Sequence, residues 1–212
     1  MPGQLEGKKI AILATDGFEE VELTQPMQAL KDAGAEVDVV SPSDGEIQGF
    51  DHITPSHKIR VDRSLSQAQA GDYDALLLPG GANNPDQLRT NDEALAFVRS
   101  FAEAGKPMGA ICHAPWILIN AGLAKGRTLT SWPTIRLDLT NAGANVVDQE
   151  VVVDNGLVTS RAPRICRPSA PSWSRNSAKA ATRRRRARRR APDGVLPPPS
   201  RGRGGPRLRL PP

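Results

Sequence analysis

Cysteine is scarce in this chain. There are two in 212 residues, Cys112 and Cys166, far apart and in unlike surroundings. That excludes a disulfide framework. The three histidines make no zinc-type spacing with them, so neither a metal centre nor a cofactor is expected. His52 and His57 stand in a polar stretch and read as exposed loop histidines. Long hydrophobic runs are missing as well. The opening "MPGQLEGKKIAIL" has no signal-peptide core. Its apolar run is far shorter than the ~20 residues of a membrane helix. The expected compartment is the cytosol, with no membrane partner.

Acidic residues are nearly absent from one part of the chain. From Arg164 onward there are 15 Lys and Arg against a single acid, Asp193. Residues 1–163 hold the other 13 basic residues and 22 acidic ones, so the formal net charge of +5 belongs to the tail alone. The body is acidic, which excludes reading the whole chain as a nucleic-acid binder.

What is present is a regular alternation. "KKIAIL" reads as a buried strand that breaks at Asp16-Gly17, and "EEVELTQPMQALKDAGA" as a helix ending at Gly34. "EVDVVS" is a second strand. "IQGFD" and "HKIRVD" alternate like a β-arm. "YDALLLPGG" and "KPMGAIC" are further core strands, with the amphipathic helix "NDEALAFVRSFAEAG" between them. "HAPWILINAG" and "TIRLDLTNAG" read as helices, "RTLTSW" as a strand, and "VVVDNGLVTS" as a hairpin turning at Asp154-Asn155-Gly156. Continuous apolar strands alternating with helices define an α/β fold, a mostly parallel sheet with helices on both faces. Functional groups in such a sheet gather at the carboxyl ends of its strands.

Cys112 falls at such an end, in "GAICHAPWIL". Ala110 and Ala114 flank it at −2 and +2, the small residues that a nucleophile elbow requires. A helix start just beyond it would favour thiolate and lower the thiol pKa. The backbone N–H of His113 supplies half of an oxyanion hole, and Gly80-Gly81 can supply the other half. His113 is also a candidate partner for the thiol. Glu19, Glu20 and Glu22 follow the first strand on the same edge. Glu19 and Glu22 share a helical face, so either can turn inward as the acid. Trp116 and Trp132 are candidate walls of a small pocket.

Four stretches together, "GKKIAILATDGFEEVELTQP", "ALLLPGG", "GKPMGAICHAPWILINAG" and "DQEVVVDNGLVTSR", resemble the PfpI family. That family belongs to the class I glutamine amidotransferase-like superfamily, which also holds the parkinsonism-associated deglycase. The resemblance spans about residues 7–163. It implies a flavodoxin-like sandwich and a reactive elbow cysteine, here Cys112, followed by His113. It places the characteristic acid on Glu22, with Glu19 nearby. Members are described as intracellular proteases, as glutathione-independent glyoxalases and as deglycases, and they assemble as dimers or hexamers. The protease triad, completed across a subunit interface, would place its acid near Asp86. This chain has Asp where the protease has Glu, and the local spacing differs by one residue.

The expected activity is therefore cofactor-free cysteine hydrolysis of glyoxalase or deglycase type, on small reactive carbonyls or glycated protein. A PfpI-type protease and a redox-sensing or chaperone-like binding protein are the alternatives. A groove for extended peptide has no counterpart in the sequence.

Residues 1–163 read as the α/β domain without its usual final helix, and 164–212 as a disordered Arg/Pro-rich tail. A shifted reading frame accounts for the tail. Regrouped codons of Ile165–Ser169 can spell "DLPAF", and those of Ser172–Ser177 "KLVEEF", the continuation typical of PfpI-like chains. If the tail is instead genuine, nucleic acid becomes a partner.

Overall fold

The computed structural model describes residues 3–162. The tail from residue 164, with Cys166, lies outside the described residues. In chain order the elements are β1 (Lys9–Leu13), β2 (Phe18–Glu19), α1 (Glu20–Asp32), β3 (Glu36–Ser41), β4 (Glu46–Asp51) and β5 (Thr54–Arg60). Then come β6 (Arg63–Ser64), β7 (Ala75–Leu78), α2 (Asn83–Leu88), α3 (Asp92–Glu103), β8 (Met108–Ile111) and α4 (Pro115–Asn120). The last are β9 (Thr128–Leu129), α5 (Arg136–Asn141), β10 (Asn145–Val146), β11 (Val151–Asp154) and β12 (Leu157–Ser160).

Seven strands form the central sheet in the order β11-β12-β8-β7-β1-β3-β6. Only the β11–β12 hairpin is antiparallel, turning at Asn155 and Gly156, which both take positive φ. All other pairs are parallel, so this is the α/β class expected from the alternation. Side chains along each strand alternate between two cores. Ala11, Leu13, Leu76, Leu78 and Ala110 pack with Phe97, Phe101, Ile117 and Leu118 of α3 and α4. Ile10, Ile12, Ala75, Leu77 and Ile111 face the other way, with Leu23 and Leu30 of α1.

The helices begin and end for local reasons. Asn91 caps α3, its side-chain oxygen accepting the Ala94 N–H at 2.9 Å. Gly105 follows that helix at φ +60°, the left-handed exit that glycine makes cheap. α1 continues through Pro26 because Leu23, Pro26 and Leu30 are buried together, and that burial outweighs the missing hydrogen bond.

Two expectations change. "RTLTSW" contributes only Thr128–Leu129, paired with β10 in a separate two-stranded sheet. The strand stops there because Thr130 turns its N–H to the Thr159 hydroxyl. His57 is not on a loop; it lies within β5. The β-arm itself is present: β4 and β5 pair antiparallel around a turn at His52 and Ile53. β2 pairs with β4, Phe18 opposite Gly49, and fastens the arm to the head of α1. A Cβ on Gly49 would come within 2.9 Å of the Phe18 ring. Among the described residues, no helix is long and apolar enough to cross a membrane.

The side chain of Phe101 is fully buried and packs edge-on against Phe97 at 5.1 Å. Replacing Phe101 with Ala is expected to cost about 3–5 kcal/mol in urea unfolding, with little change at the far sheet edge.

Candidate active site

β1, β7 and β8 are neighbours in register, and the segments that leave their carboxyl ends meet at one edge of the sheet. Glu22 follows β1, Gly80 and Gly81 follow β7, and Cys112 follows β8. Cys112 has φ +60°, a left-handed conformation that costs a non-glycine residue about 1–2 kcal/mol. The turn is held on both sides. The Cys112 N–H donates to Ser160 O at 2.8 Å, and the Cys112 carbonyl accepts the Trp132 N–H at 2.9 Å.

Glu22 is buried and hydrogen-bonded to the Cys112 thiol. Its Oε2 also accepts the Gly80 N–H at 2.8 Å. Burial is the main cause that raises the Glu22 carboxyl from its usual range to about 7, and the nearby Glu19 charge adds to it. Hydrogen bonds from Cys112, Gly80 and Gly81 pull the other way. Burial also pushes the thiol up, reinforced by the Glu22 charge and by hydrogen bonding to it. The backbone N–H groups of His113 and Gly81 oppose that rise.

The expectation of a lowered thiol pKa is therefore corrected. α4 starts only at Pro115, three residues beyond the cysteine, while the buried carboxyl stands directly against the sulfur. The pair titrates together. Once one proton has left, the remaining one favours sulfur, because the thiol is pushed up further than the carboxyl. The form with that proton on Glu22 carries its charge on sulfur, facing two N–H donors.

Gly80 is required by space. A Cβ there would lie 2.5 Å from Glu22 Oε2 and 2.8 Å from Cys112 Cβ. Its N–H serves the Glu22 carboxyl, which corrects its expected place in the oxyanion hole. Gly81, at φ +77°, and His113 hold their N–H groups toward the sulfur.

His113 Nδ1 stands 3.1 Å from Cys112 Sγ, and Nε2 stands 3.2 Å from Thr134 Oγ1. Burial lowers the imidazole pKa, which keeps the ring neutral at pH 7. Trp116 and Trp132 flank this ring at centroid distances of 5.6 and 6.0 Å. Trp116 is fixed by Asp138, which accepts its indole N–H at 2.6 Å, and by the Arg89 guanidinium over its ring.

One expected acid, Glu19, is not brought to the thiol. Glu19 precedes α1 rather than sharing its face with Glu22, and its carboxylate accepts the His52 N–H on the β-arm. Asp86 is exposed on α2, and the triad expected of it would draw it from a second copy; within one chain His113 meets Thr134. Thr134 and Asn84 were not anticipated. Asn84 is fully buried, accepts the Thr15 N–H and donates to Pro79 O and Gly80 O, joining the ends of β1 and β7. "GGANNPD" marks a turn but does not reveal which Asn turns inward.

A parallel sheet that presents a cysteine elbow beside a buried glutamate defines the class of protein. The chain belongs to the DJ-1/PfpI family, which it matches over residues 8–171. YraA of Bacillus subtilis, whose name marks it as a candidate cysteine protease, is 45% identical over 158 residues, covering 74% of this chain and 90% of that protein. Protein/nucleic acid deglycase 2 of Escherichia coli is 44% identical over 158 residues, with the same coverages of 74% and 90%. Drosophila melanogaster DJ-1beta has a crystal structure similar to this fold, with TM-score 0.68 and 28% identity over 82% of this chain and 96% of that one.

Glu22 holds its proton to about pH 7 in the folded chain, against an ordinary value of 4.5. The folded state therefore binds the extra proton between those values. Its stabilising contribution is complete below about 4.5 and is lost as pH rises through about 7. Glu22→Gln keeps an acceptor for Gly80 and a donor for sulfur but cannot ionise. Urea unfolding at pH 5 and pH 8 is expected to show roughly 2–3 kcal/mol more loss in the parent than in Glu22→Gln.

Proposed function

We propose that this chain is a cysteine hydrolase of the glyoxalase/deglycase type, acting on small reactive carbonyls or the adducts they form on protein. The observation that carries this reading is the placement of Cys112 between an acid that keeps a proton near neutrality and a neutral imidazole. The deglycase name of the Escherichia coli relative supports it.

With methylglyoxal the sulfur attacks the aldehyde carbon, a C–S bond forms, and the carbonyl oxygen takes up a proton to give a hemithioacetal. Glu22 is placed to deliver that proton. His113 or the Glu22 carboxylate then takes the carbon-bound proton, and its return to the neighbouring carbon leaves a thioester. Water cleaves the thioester, releasing lactate and restoring the thiol. The N–H groups of Gly81 and His113 face the negative charge on sulfur and on the adjacent oxygen. The two tryptophans form the apolar sides of the pocket.

The protease alternative rests on the name of YraA. It would require Asp86 from a second copy to replace Thr134 at His113. A redox-sensing role for the same thiol predicts sulfenic acid without turnover. The proposal extends to a cytosolic, homo-oligomeric protein that works without an organic cofactor, and to a tail from residue 164 produced by a shifted frame. Sequencing the gene across codons 155–185 checks the last point, with one base gained or lost as the expected result.

Cys112→Ala is expected to abolish lactate production from methylglyoxal. Glu22→Gln is expected to lower kcat/KM by at least ~100-fold while the fold is retained. Lactate formation undiminished in Cys112→Ala would end the proposal.

A further inference from the structure

The tip of the β-arm carries a second cluster, separate from the thiol site. Glu19, Asp51 and His52 each bring one ligand-type atom to within 4.8 Å of the others. His52 Nδ1 lies 3.4 Å from Glu19 Oε1 and 3.8 Å from Asp51 Oδ1. Both separations exceed the normal N–H···O hydrogen bond of about 2.7–3.2 Å. The neighbouring pair differs: His57 Nδ1 stands 3.1 and 3.2 Å from the two Glu20 oxygens, at hydrogen-bonding distance.

Both His52 separations lie within ion-pair range, and they also suit ligation of a shared ion. Two ligand atoms each held about 2.1 Å from a tetrahedral ion stand about 3.4 Å apart. The Glu19–His52 separation matches that edge. Asp51 is a few tenths of an ångström wider, and its side chain is 80% exposed, so it has freedom to close. Glu19 is the fixed ligand. Its side chain is only 13% exposed, and its other oxygen accepts the His52 N–H at 3.1 Å. Among the described residues, the only basic group within ion-pair distance of Glu19 or Asp51 is His52 itself. Two carboxylates and one imidazole suit zinc, cobalt or nickel better than calcium or magnesium, which favour oxygen alone.

We propose that Glu19, Asp51 and His52 form a binding site for a divalent transition-metal ion of the zinc class, which ties the tip of the β-arm to the head of α1. Water completes the coordination on the open side. The expectation of no metal centre rested on Cys/His spacing, and this set uses neither a cysteine nor a local repeat. The site stands whether or not the thiol chemistry proposed above is correct.

The test uses the full chain, without an affinity tag and with both thiols removed (Cys112→Ala, Cys166→Ser), so that sulfur cannot ligate. Cobalt chloride is titrated in and followed by visible absorption and calorimetry. One equivalent is expected to bind, with the d–d bands of a four- or five-coordinate ion, and zinc should displace it. His52→Ala should weaken binding at least tenfold, and Asp51→Asn several-fold. His57→Ala, further along β5 and paired with Glu20 instead, should leave binding unchanged. No binding up to about 1 mM cobalt overturns the proposal. So does His52→Ala binding like its parent, or equal losses in His52→Ala and His57→Ala. Circular dichroism of each variant confirms that the fold is intact.

Discussion

A carboxyl group buried against a thiol is the constraint around which the sheet edge is organised. Neither Glu22 nor Cys112 is comfortable there as an ion: burial raises both, the Glu22 charge makes the thiol harder to ionise, and only the thiol's hydrogen bond eases ionisation of the carboxyl in return. The surrounding backbone limits that cost. Gly80 gives its N–H to the carboxyl, and Gly81 and His113 turn theirs to the sulfur. These donors are in place because Asn84 ties the end of β7 to the end of β1. Cys112, for its part, accepts a left-handed backbone conformation so that its side chain stands over the sheet. Strain, burial and coupled protons are concentrated within a few residues, and the parallel sheet beneath supplies the rigidity that keeps them there.

Much of the fold was legible because it follows from local rules. Strand alternation sorted Ile10, Ile12 and Leu77 from Ala11, Leu13 and Leu78 onto opposite faces. Gly34, Gly105 and the Asn155-Gly156 turn marked element ends through their positive φ. The strand-to-helix junction at Cys112 was readable from the alanines around it. The partners of the site were less so. The Gly80–Glu22 hydrogen bond crosses 58 residues of sequence, and the Thr15–Asn84 bond crosses 69. No periodicity records such contacts. Glu19 and Glu22 looked interchangeable as acids, and only the arm folding over Glu19 separates them. Thr134 arrives through the segment after β9, which carries no motif.

The β-arm links these two kinds of information. Its alternating pattern was visible, yet its attachment was not. Phe18 opposite Gly49, and the Glu20–His57 pair, seat it on the first turn of α1. That is the turn that presents Glu22. The arm therefore stiffens the carboxyl side of the site from outside, as Asn84 stiffens the glycine side from within.

The Cys112 turn also has a consequence for how the chain comes into being. The Cys112 N–H is held by Ser160 at the end of β12, and β8 lies between β7 and β12. The elbow closes only when a strand nearly fifty residues later in the chain has docked. Parallel pairing of this kind has high contact order and forms slowly. During synthesis the sulfur thus leaves the ribosome well before the backbone that aims it. It passes through that interval as an ordinary, unaligned thiol, and its chemistry is acquired only with the last strand of the sheet.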